Sequence, residues 1–196
     1  MRLSFYNYSY ITPERTEFVG FDNFVRLFHD KDFFKKHCSI HFLMVAVVVL
    51  LIAVLAFLIA VLLDGNLRGK TFFRTVYYMP YVISAVAVSI FFMYFFVKGG
   101  IGSRFFSLFG MKDTTWFTST KYALFLVIII YVWQQIGFYM ILYISGLQNI
   151  SAELYEVAKI DGANKAQCIW YITFPLVKPT TYLVITLGMI NAFQIF

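Results

Sequence analysis

The sequence predicts an all-α integral membrane protein, a polytopic helical bundle, and three observations carry that prediction. The 196 residues are 61% hydrophobic and only 13% charged, with a mean hydropathy of +0.75, well above what a soluble domain carries. The charges are also clustered: Asp, Glu, Lys and Arg are absent from 37–63, 75–97, 122–152 and 179–196. A spanning helix needs about 20 apolar residues at roughly 1.5 Å each, so every run is long enough. Finally, the bilayer interior admits only helices or closed barrels, and runs this continuous lack the alternation of barrel strands.

Taken in order, residues 1–38 form an amino-terminal extracytoplasmic segment whose first 35 residues contain no apolar core of a signal peptide. Four spans follow at 40–63, 75–97, 124–147 and 179–196. The loop between the first two packs Arg68, Lys70 and Arg74 into 64–75, a density of cations expected on the cytoplasmic side. Totals oppose that placement, with six Lys and Arg in the two inner loops against ten in 1–38 and 98–121, so charge alone leaves the orientation open. The net charge of +6 belongs to loops of a membrane protein. No basic run with interleaved aromatics points to nucleic acid.

Residues 148–178 are a polar island between two apolar runs. Ser151 caps a short helix whose first turn carries Glu153, a carboxylate favoured by the helix dipole. Leu154, Val157 and Ala158 recur at i, i+3 and i+4, giving a narrow apolar face opposite Glu156 and Lys159. Asp161-Gly162 ends that helix, because Gly accepts a left-handed backbone, and Asn164 with Gln167 restarts the next one as a capping box. Pro175 and Pro179 punctuate the entry to the last span. The expected result is two short helices bent around a glycine.

This island resembles the EAA loop of permease subunits in ATP-binding-cassette importers. Glu156, Ala158, Asp161, Gly162, Ala163, Ile172 and Phe174-Pro175 fall on the motif; Val157 replaces its first alanine and Phe174 its usual leucine. Upstream, Val19-Gly20-Phe21-Asp22-Asn23-Phe24 with Asp32-Phe33-Phe34 is similar to the lead-in to the second helix of maltose-type sugar-importer permeases. Arg74 to Pro80 resembles the entry to their third helix, and Trp133, Gly137, Met140 and Gly146 to Ile150 resemble the helix feeding the EAA loop.

The resemblance implies a bundle of the type I ABC importer permease kind, with about four of a usual six spans, truncated at both ends and most like the first permease of heterodimeric pairs. It implies import of a sugar or related polyol across a prokaryotic plasma membrane, with no catalytic residue, metal or cofactor in this chain. The implied partners are cytoplasmic ABC ATPase subunits, a second related permease, an extracytoplasmic substrate-binding protein and membrane lipid. Leu154, Glu156, Val157, Ala158, Asp161, Gly162, Ala163, Phe174 and Pro175 become the ATPase-docking residues of a cytoplasmic coupling loop.

Polar side chains inside the spans are few. Gln134 and Gln135 lie in the third, and Asn191 and Gln194 share one face of the fourth. Amides are costly in hydrocarbon, so each either bonds a neighbouring helix or lines a wet path. By resemblance the third and fourth spans line the substrate path, where Gln135, Tyr139, Asn191 and Gln194 would bind hydroxyls or stack on a sugar ring.

A competing reading comes from His37 and His41, four apart, with His29, Asp30 and Asp32 nearby. Such spacing could serve a membrane-embedded metallohydrolase, but Cys38 stands where the His-Glu-x-x-His base would be. Snorkelling interfacial histidines are the plainer account. Cys38 and Cys168 fall on opposite sides of the membrane in this topology, which excludes a disulfide between them.

Overall fold

A helix that is apolar all round must be distinguished inside from outside by size, since polarity does not differ. The computed structural model describes residues 2–7, 16–30, 33, 38–65, 68–110, 115–119 and 122–195. The chain forms two compact units, residues 1–45 and 46–196.

In the first unit a two-stranded antiparallel hairpin, β1 (Tyr6–Asn7) and β2 (Glu17–Phe18), pairs Tyr6 with Phe18. Gly20 turns the chain at φ +56° into α1 (Asp22–His29). Asn23 ties the helix to the amino terminus, its amide donating to Ser4 O at 3.0 Å and Tyr6 O at 3.2 Å. Phe5 packs on Phe21 and Phe24, each at 5.5 Å. The Val19 to Phe24 stretch thus builds a folded corner.

Helix α2 (Ser39–Asp64) leads into the second unit, which continues with α3 (Lys70–Val82), α4 (Ala85–Phe95), α5 (Ile101–Ser107) and α6 (Ala123–Gln148). The core joins α2 and α6. Val48, Ile52, Ala56, Ala60 and Leu63 recur every three or four residues and pack against Ile136, Tyr139, Met140, Tyr143 and Leu147. The small alanines let backbones approach, as expected where lipid gives no hydrophobic drive between helices. Larger residues on the far side of α2, such as Leu50, Leu58 and Leu62, stay exposed.

Helices α2 and α6 are each 26 residues long and apolar enough to cross a membrane. Where one continuous span is expected at 75–97, α3 and α4 meet instead at 93°. Pro80 cannot donate to the preceding turn, and Ile83 and Ser84 then adopt extended backbone before α4 restarts. Helix α3 lies directly on α6: a Cβ on Gly137 would fall 2.6 Å from the Tyr77 carbonyl carbon and 2.7 Å from Tyr78 Cα. Tyr81 stacks on Phe138 at 4.9 Å. After the polar island, α10 (Lys178–Ile195) runs at 66° to the segment preceding it.

Candidate functional site

The island folds from its own local signals. Ser151 Oγ accepts from Glu153 N at 3.3 Å and opens α7 (Ala152–Ile160). Gly162 sits at φ +83°, with Ala163 N donating back to Ala158 O at 2.9 Å, so the left-handed residue expected there is present. Asn164 and Gln167 form the reciprocal capping box, at 2.8 and 2.9 Å, that starts α8 (Lys165–Cys168). A π-helical turn, Ile169–Thr173, and α9 (Phe174–Leu176) complete the route to α10.

One polar link closes the island. Tyr155 O–H meets Thr173 Oγ1 at 2.9 Å, and Thr173 Oγ1 also lies 3.3 Å from Cys168 O. A hydroxyl has one proton, and only a donor can meet the carbonyl, so Tyr155 donates to Thr173 and Thr173 to Cys168. Thr173 is buried. Sequence reasoning missed this pair because its members are 18 residues apart.

The expected apolar face of α7 divides. Ala158 is buried and holds the helix down, whereas Leu154, Val157 and Ile160 face outward beside exposed Glu156. Asp161 and Phe174 are exposed, and Ala163 and Pro175 half-buried. The exposed surface of the island therefore mixes apolar Leu154, Val157 and Ile160 with charged Glu153, Glu156, Lys159 and Asp161, and Trp170 packs on Phe174 at 5.7 Å. Behind it a cleft of about 900 Å³ is lined by Asp64, Lys159, Lys165, Tyr155 and Thr173.

Among the amides inside the helices, Gln134 Nε2 donates to Ile83 O at 3.2 Å. That carbonyl is released by the break between α3 and α4, and the amide satisfies it. Asn191 donates to the hydroxyl of fully buried Tyr139 at 3.0 Å, tying α10 to α6, while Gln194 is exposed. Gln135 differs: its Oε1 is buried with no hydrogen-bond partner among the described residues, as is the hydroxyl of Tyr131. Both line a groove of about 550 Å³ between α4 and α6, with Ser89, Phe92 and Phe117. Tyr131 was not anticipated, although its place four residues before Gln135 puts the two on one helix face.

His37 and Asp32 lie outside the described residues. His29 Nδ1 is 2.9 Å from Val25 O within its own helix. Among the described residues no three of His, Cys, Asp and Glu gather as metal ligands.

Comparison with known proteins gives one consistent result. Residues 53–196 match the family described as "Binding-protein-dependent transport system inner membrane component". The chain is 33% identical to the "Probable ABC transporter permease protein YurN" of Bacillus subtilis, over 99% of its own length and 68% of the relative's. It is 29% identical to the "Arabinooligosaccharides transport system permease protein AraP" of Halalkalibacterium halodurans, over 95% of its length and 59% of that protein's. It superimposes with a TM-score of 0.73 and 26% identity on a chain of a bacterial alginate ABC transporter crystallised with an alginate pentasaccharide-bound periplasmic protein, covering 86% of this chain and 59% of that one. The sequence thus spans roughly three-fifths to two-thirds of these proteins' length.

Proposed function

Because the chain belongs to the family of binding-protein-dependent transport system inner membrane components, we propose that it is a permease subunit of an ATP-driven importer for oligosaccharides or related polyols. The observation that carries this reading is the island: a capped helix pair around Gly162 with Leu154, Val157, Glu156 and Ile160 facing outward. Exposed apolar side chains interleaved with charged ones suit a docking face. Its occupants would be cytoplasmic ABC ATPase subunits. A second related permease and a substrate-binding protein on the opposite side would complete the complex, as the relatives' roles support. Residues 148–178 are then cytoplasmic and 1–38 extracytoplasmic.

Coupling follows a contiguous route. Movement of α7 on ATPase closure reaches the π-helical turn through Tyr155 and Thr173. It passes from α10 to α6 through Asn191 and Tyr139, and from α6 to the broken helix through Gln134 and Ile83. Discrete hydrogen-bonded links between rigid helices are the kind of element that two states can bias.

In this reading the substrate path uses Gln135 and Tyr131, which line the groove with Phe92 and Phe117 and each carry a buried polar atom without a partner among the described residues. A few hydrogen-bonding groups beside aromatic rings suit a sugar. Tyr139 and Asn191 line the path only as a paired wall, and Gln194 from an exposed position.

The test is uptake of radiolabelled oligosaccharides and polyols by cells with and without the chain. One or more substrates should need both this chain and ATP, and Gln135→Leu should lower uptake without reducing the amount of complex. If no uptake depends on the chain, the reading is wrong; if Gln135→Leu transports normally, only the substrate path fails.

A further inference from the structure

Helix α5 stands outside the coupling route, yet its two faces are built differently. Its inner face is locked onto the end of α4. Gly102 lies so close under the Phe95 ring that no side chain fits there, Ser103 is fully buried, and Phe106 packs on Phe96 at 6.1 Å and Trp116 at 5.0 Å. Trp116 stacks on Tyr122 at 4.7 Å, and its backbone N–H donates to Phe96 O at 3.2 Å. Lys98 N reaches Thr115 Oγ1 at 3.3 Å. The result is a rigid shelf.

The outer face carries Ile101 and Phe105, followed by the cap residue Leu108 and by Phe109 in the turn after it, exposed by 76%, 54%, 81% and 72%. Spacings of four and three residues align the first three in one stripe. In water such a patch is an association hazard. Val86, Ile90, Met93 and Tyr94 of α4 are exposed as well. Residues 98–110 include Lys98 and Arg104 and no Asp or Glu, a charge that complements anionic headgroups.

We propose that α5 lies in the membrane–water interface, with its apolar stripe at the boundary between headgroups and acyl chains and Lys98 and Arg104 on lipid phosphates. Short cationic helices with an aromatic apolar face bind there, and long basic side chains run along apolar surface to reach phosphate. Because α5 is fixed to α4, this contact sets the depth of α4 in the bilayer. The inference needs only that the chain is a membrane protein, not any particular substrate or partner.

Leu108→Cys, with Cys38→Ser and Cys168→Ser, is labelled with an environment-sensitive fluorophore in the full membrane-inserted protein. Vesicles contain phosphatidylcholine alone or mixed with phosphatidylglycerol, and Thr118→Cys, exposed in the adjoining turn, is the aqueous control. The Leu108 label should be quenched by lipid spin-labelled near the headgroup and shielded from iodide, the reverse of Thr118. Spin-labelled phosphatidylglycerol should be enriched at the label by about fivefold for each cation. Lys98→Gln with Arg104→Gln should abolish that enrichment while the label keeps its depth. Phe105→Cys serves as a second site and should give the same pattern. A label open to iodide, or shielded from both iodide and lipid by a covering protein, overturns the proposal. Enrichment that survives neutralisation overturns the phosphate contact.

Discussion

Replacing Gly137 by alanine tests the packing on which the whole bundle depends. A Cβ there would meet the Tyr77 carbonyl carbon and Tyr78 Cα at 2.6 and 2.7 Å and the Tyr77 carbonyl oxygen closer still, against 3.4 Å for ordinary contact, so α3 must retreat by more than about 1 Å. Backbone cannot rotate away as a side chain can. Overpacking costs about 1–3 kcal/mol and a backbone clash belongs at the upper end, while alanine regains about 1 kcal/mol of helix propensity. The net loss is about 2 kcal/mol, a factor of about 30 in the folded ratio. The same retreat would stretch the Gln134–Ile83 bond from 3.2 Å to beyond about 4 Å, outside hydrogen-bonding range, and unsatisfy the broken helix. Unfolding of the purified protein by graded detergent measures the loss. Gly188→Ala is the control, since its Cβ would meet the Val49 methyls at 3.6 Å and the Tyr139 hydroxyl at 3.9 Å, all ordinary contacts. If both variants unfold with the wild type, α3 does not lie on α6 as described.

Three further outcomes follow from the same geometry. Gly146→Ala should destabilise because Thr180 Cβ lies only 3.0 Å from the added methyl with Thr180 Oγ1 closer; Thr180→Ala should recover part of the loss in the same unfolding assay, and no recovery would mean that the clash lies elsewhere. Gly162→Val should cost about 1–2 kcal/mol locally through its left-handed backbone and reduce ATPase co-purification without affecting insertion, while Gly162→Asn should be milder, since nothing lies within 4 Å of the site; equal ATPase yield from Gly162→Val and wild type refutes this. Tyr155→Phe removes a bond worth about 0.5–1.5 kcal/mol and should leave ATPase binding intact while lowering substrate moved per ATP hydrolysed; an unchanged ratio would remove Tyr155 from the coupling route.

The elements most legible in the sequence were those whose cause is local. Charge-free runs at 37–63 and 122–152 coincide with α2 and α6 to within four residues, because length and hydropathy decide whether a segment forms a long apolar helix. The island's turns were legible for the same reason: Ser151, Gly162 and the Asn164–Gln167 box each act within four residues. The break at Ile83 was not legible. Pro80 alone permits either a gentle kink or a full interruption, and the 93° bend also needs Gln134, 51 residues away, to accept the released carbonyl's demand for a donor.

The polar residues of the helices show the same limit more sharply. Gln134, Gln135 and Asn191 are equivalent to a reader of the sequence, since each is an amide in an apolar run. In the fold they separate into three roles: Gln134 repairs a broken helix, Asn191 ties α10 to Tyr139, and Gln135 is left with a buried oxygen and no partner. An amide already bonded to its neighbour has little capacity left for a substrate hydroxyl, whereas an unpartnered one buried beside Tyr131 gains by meeting one. The substrate path is therefore better sought where hydrogen bonding is incomplete than where amides are merely present, and that criterion moves the search from Asn191 and Gln194 to the groove of Tyr131 and Gln135.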